Sequence, residues 1–201
     1  MTIETSATVA QAPRRADTAE PIHDLLAERW SPRSYEPDHD VTEAEVTALL
    51  EAARWAPSAQ NRQPRRFVVG RRGTDTHAAI ASAINERNQV WAPRASLLVL
   101  GLVEREGLDG ARQRFAEYDL GQAVAHLSIQ AQQLGLSVRQ MGGFHPEVAA
   151  AALEIDPRYE PFVTVAVGRA TPAEALEPEF VERDTAPRAR LGLDELVLRR
   201  S

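Results

Sequence analysis

The sequence contains no cysteine, so disulfide bonds, thiolate metal sites and cysteine nucleophiles are all excluded. It has no apolar run near the length of a membrane span, and its N-terminus lacks the apolar core of a signal peptide. No G-x-G-x-x-G motif follows a predicted strand, which argues against a separate dinucleotide-binding domain. We therefore expect a cytoplasmic protein that has no membrane partner.

The sequence also has fewer basic residues than acidic residues. There are 23 Lys and Arg against 29 Asp and Glu, a formal net charge of −6, which argues against a nucleic-acid partner. None of the five histidines is paired at helical spacing in a pattern such as H-E-x-x-H, so no metal site is predicted. The length of 201 residues with 43% hydrophobic residues fits one globular domain. We place this domain at residues 20–201, after a flexible N-terminal tail over residues 1–19.

The most informative stretch runs from Glu51 to Val69, EAARWAPSAQNRQPRRFVV. The preceding helix opens with a capping box at Thr42 and Glu45, and Pro57 ends it. The next strand is predicted over residues 67–69. The intervening loop is dense in donors and acceptors, which suits a flat heterocycle bearing carbonyl and imide groups. An ordinary helix-to-strand connection remains the alternative.

Hydrophobic periodicity predicts the other elements. Helices are expected from Pro21 to about Ser31, over residues 74–85 and 115–134, and from Pro146 onward. Strands are expected over residues 97–103, in the segment before Gly142, and over residues 162–168. The strand at 97–103 is apolar without alternation, as a strand covered on both faces would be. On the long helix, a polar stripe that includes Asp119 faces either solvent or a partner subunit.

Two segments carry arginines that could bind a phosphate. Arg29, Ser31 and Arg33 surround a tight turn, and the guanidinium group matches phosphate oxygens. The alternative is a solvated helix end. Arg188 and Arg190 form a second pair late in the chain, for which a solvated charge pair is the alternative.

Two further positions could approach a bound ring. Gly142 and Gly143 would let the backbone come close to a flat ligand, although a simple turn would also use them. Asn88 precedes the strand at residues 97–103, and a helix-ending asparagine is an equal alternative.

The loop APSAQNRQP followed by RFVV resembles the signature A-P-S-x-x-N-x-Q-P-W of the FMN-dependent nitroreductase family (NAD(P)H:flavin oxidoreductase-like). The R-x-S-x-R segment, the asparagine, the G-G-F segment and the late R-x-R pair are similar to the same family, in the same order over residues 20–198. One position departs from the pattern, since Arg65 stands where the family usually has tryptophan. The resemblance implies a set of cofactor-binding residues: Arg29, Trp30, Ser31, Arg33, Pro57, Ser58, Ala59, Asn61, Asn88, Met141, Gly142, Gly143, Arg188 and Arg190.

The resemblance also implies an α+β fold, a three-layer α-β-α sandwich around a central, mostly antiparallel sheet, in an intertwined homodimer. FMN would be bound, NAD(P)H would be the reductant, and a small-molecule electron acceptor such as a nitroaromatic or a quinone would be reduced by a ping-pong mechanism. No residue stands out as a catalytic acid, base or nucleophile, as expected where the cofactor carries the chemistry. Other flavin chemistry (dehydrogenase, dehalogenase or flavin-cleaving) and a non-catalytic flavin-binding module remain alternatives.

Overall fold

The computed structural model describes residues 14–200, so residues 1–13 of the expected tail lie outside the described part of the chain. The helices within that range are α1 Asp24–Glu28, α2 Glu43–Arg54, α3 Asp75–Ala83, α4 Glu86–Gln89, α5 Ala116–Gln133, α6 Pro146–Ala152, α7 Pro178–Thr185 and α8 Leu193–Leu196. The strands are β1 Arg65–Arg71, β2 Leu97–Glu104, β3 Ser137–Met141 and β4 Tyr159–Gly168. Short 3₁₀ turns lie at Ala59–Asn61, Ala92–Arg94 and Ala173–Ala175.

The four strands form one sheet in the order β1-β2-β4-β3, and every neighbouring pair is antiparallel. The register of β1 places Phe67 opposite Gly101, and that of β4 places Val165 opposite Val99. This architecture confirms the predicted α+β class with an antiparallel central sheet.

Strand β2 is the centre of the core, since all eight of its residues are buried. Successive side chains of a strand point to opposite faces. Accordingly Leu97 and Val99 pack with residues of α2 and α5, whereas Leu98 and Leu100 pack with residues of α3, α6 and α7. The sheet therefore lies between two helical layers, which confirms the three-layer arrangement.

Local sequence explains where the two helices of the first layer lie. Thr42 and Glu45 form the predicted capping box at the start of α2, with reciprocal hydrogen bonds. Helix α5 runs close to β2 at Gly101, where an added Cβ would lie 2.8 Å from Val163 Cγ1 and 3.3 Å from Leu120 Cδ1. A larger residue at Gly101 would force the side chains of Val163 on β4 and Leu120 on α5 to shift.

The segments singled out in the sequence follow the ends of these elements. The arginine turn follows α1, the polar loop connects α2 to β1, the glycine pair follows β3, and the late arginine pair follows α7. Among residues 14–200, the helices are too short or too polar to cross a bilayer.

Candidate functional site

A cleft of about 230 Å³ lies where the turn after α1 meets the segment after α7. Its lining residues are mostly arginines from four parts of the chain: Arg14, Arg29, Trp30, Ser31, Arg33, Arg139, Arg183, Asp184, Arg188 and Arg190. The structure thus brings together six of the predicted site residues, from the turn and the late pair. Residues 14, 139, 183 and 184 were not predicted, because nothing in their local sequence indicates that they converge on this cleft.

The guanidinium groups in this cleft affect one another. Burial lowers the pKa of Arg29, and nearby Arg190 lowers it further. The pKa of Arg188 is lowered by burial and then by Arg29, Arg190 and Arg14. Like charges gathered in a partly buried space are costly unless an anion joins them. The cleft is therefore well suited to bind an anion.

Three of the side chains here are held in place by other contacts. Arg29 Nη1 donates a hydrogen bond to Ser31 Oγ at 3.3 Å, and Arg14 lies 4.4 Å from the centre of the Trp30 ring system. Arg188 Nη1 donates to the carbonyl oxygens of Arg14 and Ala27. The cations are thus oriented within the protein itself.

Arg33 differs from the others because it has a carboxylate partner. Its backbone N–H donates to Asp184 Oδ2 at 2.7 Å, and its Nη1 pairs with Asp184 Oδ1. Both side chains are almost fully buried, at 9% and 1% exposure. This pair fixes the turn after α1 against α7 and leaves Arg33 less available to a ligand than Arg29.

The polar loop between α2 and β1 has an unusual backbone. Gln60, Asn61 and Gln63 have φ values of 53°, 54° and 52°, in the left-handed region that non-glycine residues rarely occupy. Among the hydrogen bonds that hold the loop, Gln63 N–H donates to Ser58 Oγ and Ala59 N–H donates to Asp119 Oδ2. Strained polar backbone of this kind clusters at ligand sites.

Asp119 was placed on a polar stripe by the sequence, facing solvent or a partner subunit. The structure buries it instead, at 2% exposure. Its carboxylate ties the loop at Ala59 to helix α5, which is a role that helical periodicity alone does not reveal.

Arg65, at the position where a tryptophan was expected, has a clear structural role. Its Nη2 donates to the carbonyl oxygens of Arg54 at 2.8 Å and Ala56 at 2.7 Å. These carbonyls lie at the C-terminal end of α2, where the last carbonyl groups have no hydrogen-bond partner within the helix. Arg65 therefore caps α2 from the first strand residue and does not reach out as a free cation.

The predicted residues Asn88, Gly142 and Gly143 form a second group. A Cβ added to Gly143 would lie 3.1 Å from Asn88 Nδ2 and 2.3 Å from Asn85 Nδ2, so a larger residue here would displace these two carboxamides. Asn85 N–H also donates to the Gly143 carbonyl at 3.1 Å. Met141, just before the pair, is buried at 4% exposure, whereas Gly142 is exposed.

The predicted site residues thus lie in three places in a single chain. The arginine cleft holds Arg29, Trp30, Ser31, Arg33, Arg188 and Arg190. The glycine pair and Asn88 form a second place, and the loop holding Pro57, Ser58, Ala59 and Asn61 is a third. Among residues 14–200, no hydrogen bond or ion pair joins this loop to the arginine cleft.

A second cleft of about 230 Å³ lies beside the loop, between Gln60 and the start of α5. Arg112, Arg114 and the half-exposed Phe115 line it together with Asp119. For the described part of the chain, no set of three or more histidine, aspartate or glutamate side chains is arranged to hold a metal ion.

Comparison with known proteins gives concordant results. The family model described as Nitroreductase family matches residues 26–113. An uncharacterized 15.4 kDa protein of Mycolicibacterium smegmatis is 36% identical over 139 residues, which cover 66% of this chain and 93% of that protein.

Solved structures show the same fold over nearly the whole chain. One is described as an oxidoreductase containing FMN, with a TM-score of 0.85 and 28% identity, covering 94% of this chain and 96% of the other. A putative nitroreductase in complex with FMN from Desulfovibrio desulfuricans has a TM-score of 0.72 and 26% identity, covering 92% and 99%. The sequence motifs, the fold and these matches agree, and the chain belongs to the nitroreductase family.

Proposed function

We propose that this protein is an FMN-dependent oxidoreductase that uses NAD(P)H to reduce nitroaromatics, quinones or related activated acceptors. The observation that carries the proposal is the arginine cleft. Burial and then Arg190 lower the pKa of Arg29, burial and then Arg29 lower that of Arg188, and none of these three arginines has a carboxylate partner within residues 14–200. A phosphate monoester such as that of FMN would supply the missing negative charge.

The remaining site residues fit the other parts of the cofactor. Gly142 is exposed and a Cβ added there would meet no atom within 4 Å, so the backbone there leaves room for a flat ring. The amides and carboxamides of the loop at Ser58–Asn61 offer donors and acceptors that match the carbonyl and imide groups of a flavin. Two relatives with the same fold, at 28% and 26% identity, are described as containing FMN or as bound to it.

When bound, FMN supplies the redox chemistry, since it can take a hydride from NAD(P)H and deliver electrons to an acceptor in a ping-pong cycle. The protein's own residues hold and orient it. Arg29 and Ser31 are already joined by a hydrogen bond, and the Arg33–Asp184 pair fixes the turn that carries them. Because these side chains are already ordered, little conformational entropy is lost when the ligand binds.

A homodimer would complete the site. The loop at residues 57–61 is largely exposed in the single chain. Within residues 14–200, it makes no hydrogen bond or ion pair with the arginine cleft. Trp55 and Tyr118 next to it are 74% and 67% exposed, and Gly121 on α5 has no atom within 4 Å of an added Cβ. We infer that a second copy covers this face and that its loop faces the arginine turn of the first.

The visible spectrum of the purified protein tests the proposal. We expect a yellow protein with flavin absorbance that is bleached by NADH or NADPH under anaerobic conditions and restored by a quinone or nitroaromatic. A preparation that stays colourless after incubation with FMN would contradict the proposal. Bound flavin that neither nicotinamide nucleotide reduces would instead assign the protein to the other flavin chemistries.

A further inference from the structure

The arginine cleft contains more positive charge than one phosphate requires. It is lined by seven arginines and by Asp184 as its one carboxylate. A phosphate monoester carries about −1.5 to −2 at neutral pH. One such group together with Asp184 would leave roughly four positive charges in the cleft without a counter-charge.

Electrostatic coupling divides these arginines into two groups. Arg190 lowers the pKa of Arg29 after burial, and Arg29, Arg190 and Arg14 lower that of Arg188 after burial. Arg139 is coupled to a different set, since burial lowers its pKa first and Arg33 second, while Asp184 opposes this and Arg183 adds to it. The first group is the one to which the flavin phosphate is assigned above.

Ser31 lies between the two groups. Its side-chain oxygen accepts a hydrogen bond from Arg29 Nη1, and its carbonyl oxygen accepts one from Arg139 Nη1. The two groups therefore contact the same turn through different atoms of Ser31 and line one cleft.

The second group retains two uncompensated cations. Arg33 is neutralised by its buried ion pair with Asp184. Arg139 is half-buried, with its guanidinium 5.5 Å from the centre of the Trp91 ring, so its position is fixed. The Arg183 side chain is exposed and, within residues 14–200, makes no ion pair or hydrogen bond. The charge of +2 that remains on Arg139 and Arg183 matches one phosphate dianion.

We propose that Arg139 and Arg183 form a second anion subsite, which binds a phosphate group beside the flavin phosphate held by Arg29, Arg188 and Arg190. This proposal rests on the proposed function for the first phosphate only. The second phosphate has two sources of the same chemistry: free inorganic phosphate, or the second phosphoryl group of a flavin dinucleotide.

The first arm of the experiment uses the FMN-loaded protein in a phosphate- and sulfate-free buffer. Inorganic phosphate is titrated in at constant ionic strength while the melting temperature and free-flavin fluorescence are recorded. We expect the melting temperature to rise to a plateau without release of FMN, because the two anions occupy different subsites. Release of FMN by phosphate would show a single shared subsite and would overturn the proposal.

The second arm compares FAD with FMN on protein freed of flavin. If the second phosphoryl group belongs to the flavin, FAD binds more tightly than FMN, and inorganic phosphate has no effect on the FAD-loaded protein. If free phosphate is the occupant, FMN binds more tightly and the phosphate effect appears. Weaker binding of FAD combined with no phosphate effect on FMN-loaded protein would refute the subsite.

Two variants test whether the effect of phosphate or FAD depends on Arg183. Arg183→Gln removes one exposed cation that makes no contact the fold needs, and should weaken the phosphate or FAD effect about tenfold. Arg87→Gln removes an equally exposed arginine outside the cleft and should change nothing. An equal response in both variants would mean that only net charge matters, and the subsite would be rejected.

Failure of the proposed function gives a different result. A protein that binds no flavin can still be titrated with inorganic phosphate alone. In that case an increase in melting temperature that depends on Arg183 supports the second subsite, and its absence rejects it. The two hypotheses are therefore tested separately.

Discussion

Asp184 accepts hydrogen bonds from both the backbone N–H and the guanidinium of Arg33, a residue 151 positions earlier in the chain. The carboxylate is 1% exposed, so the pair is shielded from water. It joins helix α7 to the turn that carries Arg29 and Ser31. The geometry of the arginine cleft therefore depends on a residue that contributes no positive charge to it.

Replacing Asp184 with asparagine should destabilise the protein strongly. The variant leaves the buried Arg33 without a counter-charge, which typically costs about 3–5 kcal/mol of folding free energy. Urea unfolding measures the loss. Glu182→Gln, in the same helix but exposed, is the matched control and should unfold like the wild type. Equal midpoints for the two variants would show that the ion pair does not stabilise the fold.

Arg29→Ala and Arg190→Ala should each weaken FMN binding. One lost charge-assisted hydrogen bond is worth about 1.5–3 kcal/mol, or about 10- to 150-fold in the dissociation constant. Arg190 is the cleaner test because its side chain is exposed and, within residues 14–200, its one side-chain hydrogen bond goes to the adjacent Ala189 carbonyl. Flavin fluorescence during dialysis or titration gives the constants. Wild-type affinity in both variants would remove the phosphate assignment.

Arg65→Met should destabilise the end of α2. Methionine keeps a long apolar side chain but has no donors, so the carbonyls of Arg54 and Ala56 lose their partner at a cost of about 1–3 kcal/mol. Arg65→Lys should recover only part of this, because an ammonium lacks the planar fork of the guanidinium. The measurement is the urea midpoint, compared with Arg87→Met. Full stability of Arg65→Met would disprove the capping role.

Gly121→Leu tests the proposed dimer. In the single chain, an added Cβ at Gly121 has no atom within 4 Å, and leucine is a better helix former than glycine by about 0.8 kcal/mol. An isolated subunit should therefore tolerate the change, whereas a partner packed on α5 would be displaced. Light scattering should show a dimer for the wild type and for the control Ala78→Leu, an exposed position on α3. It should show a monomer with reduced flavin content for Gly121→Leu. A dimeric Gly121→Leu protein would exclude this face as the interface.

His77 should make stability depend on pH. Burial is the main cause that lowers its pKa below the ordinary value, and its Nε2 has no hydrogen-bond partner among the described residues. The unfolded state, with a histidine pKa of about 6.5, binds the proton first as the pH falls. The stability contributed by neutral His77 is complete above that pH and is lost as the pH falls towards the lower folded-state pKa.

The expected loss is at most about 1.4 kcal/mol per pH unit for one proton. Urea midpoints between pH 7.5 and pH 5 measure it. His77→Leu should flatten the profile in this range, and His126→Leu, at an exposed position, should leave it unchanged. An unchanged slope in His77→Leu would assign the pH dependence to other groups.

Local sequence predicted the regular elements well. Helix α5 was expected over residues 115–134 and is found at Ala116–Gln133, and the capping box of α2 is present as expected. Strand β1 is longer than residues 67–69, because its pairing with β2 recruits Arg65 and Arg71, which the apolar pattern omits. Helix α7 was not predicted, although Phe180 within it is 1% exposed. Its sequence is largely polar, so only packing onto the sheet reveals it.

The site residues, like the helices and strands, include some that local sequence indicates and others that only tertiary packing reveals. The sequence by itself determined which side chains have the donor chemistry that suits a phosphate or a flat ring, because donor chemistry and the order of short motifs are local properties. Only the tertiary structure decided that Asp184 neutralises Arg33, that Arg139 and Arg183 join the cleft, and that Arg65 caps a helix. Contacts between residues as far apart as 33 and 184 leave no periodic trace in the chain, since they arise when separate elements pack on one sheet.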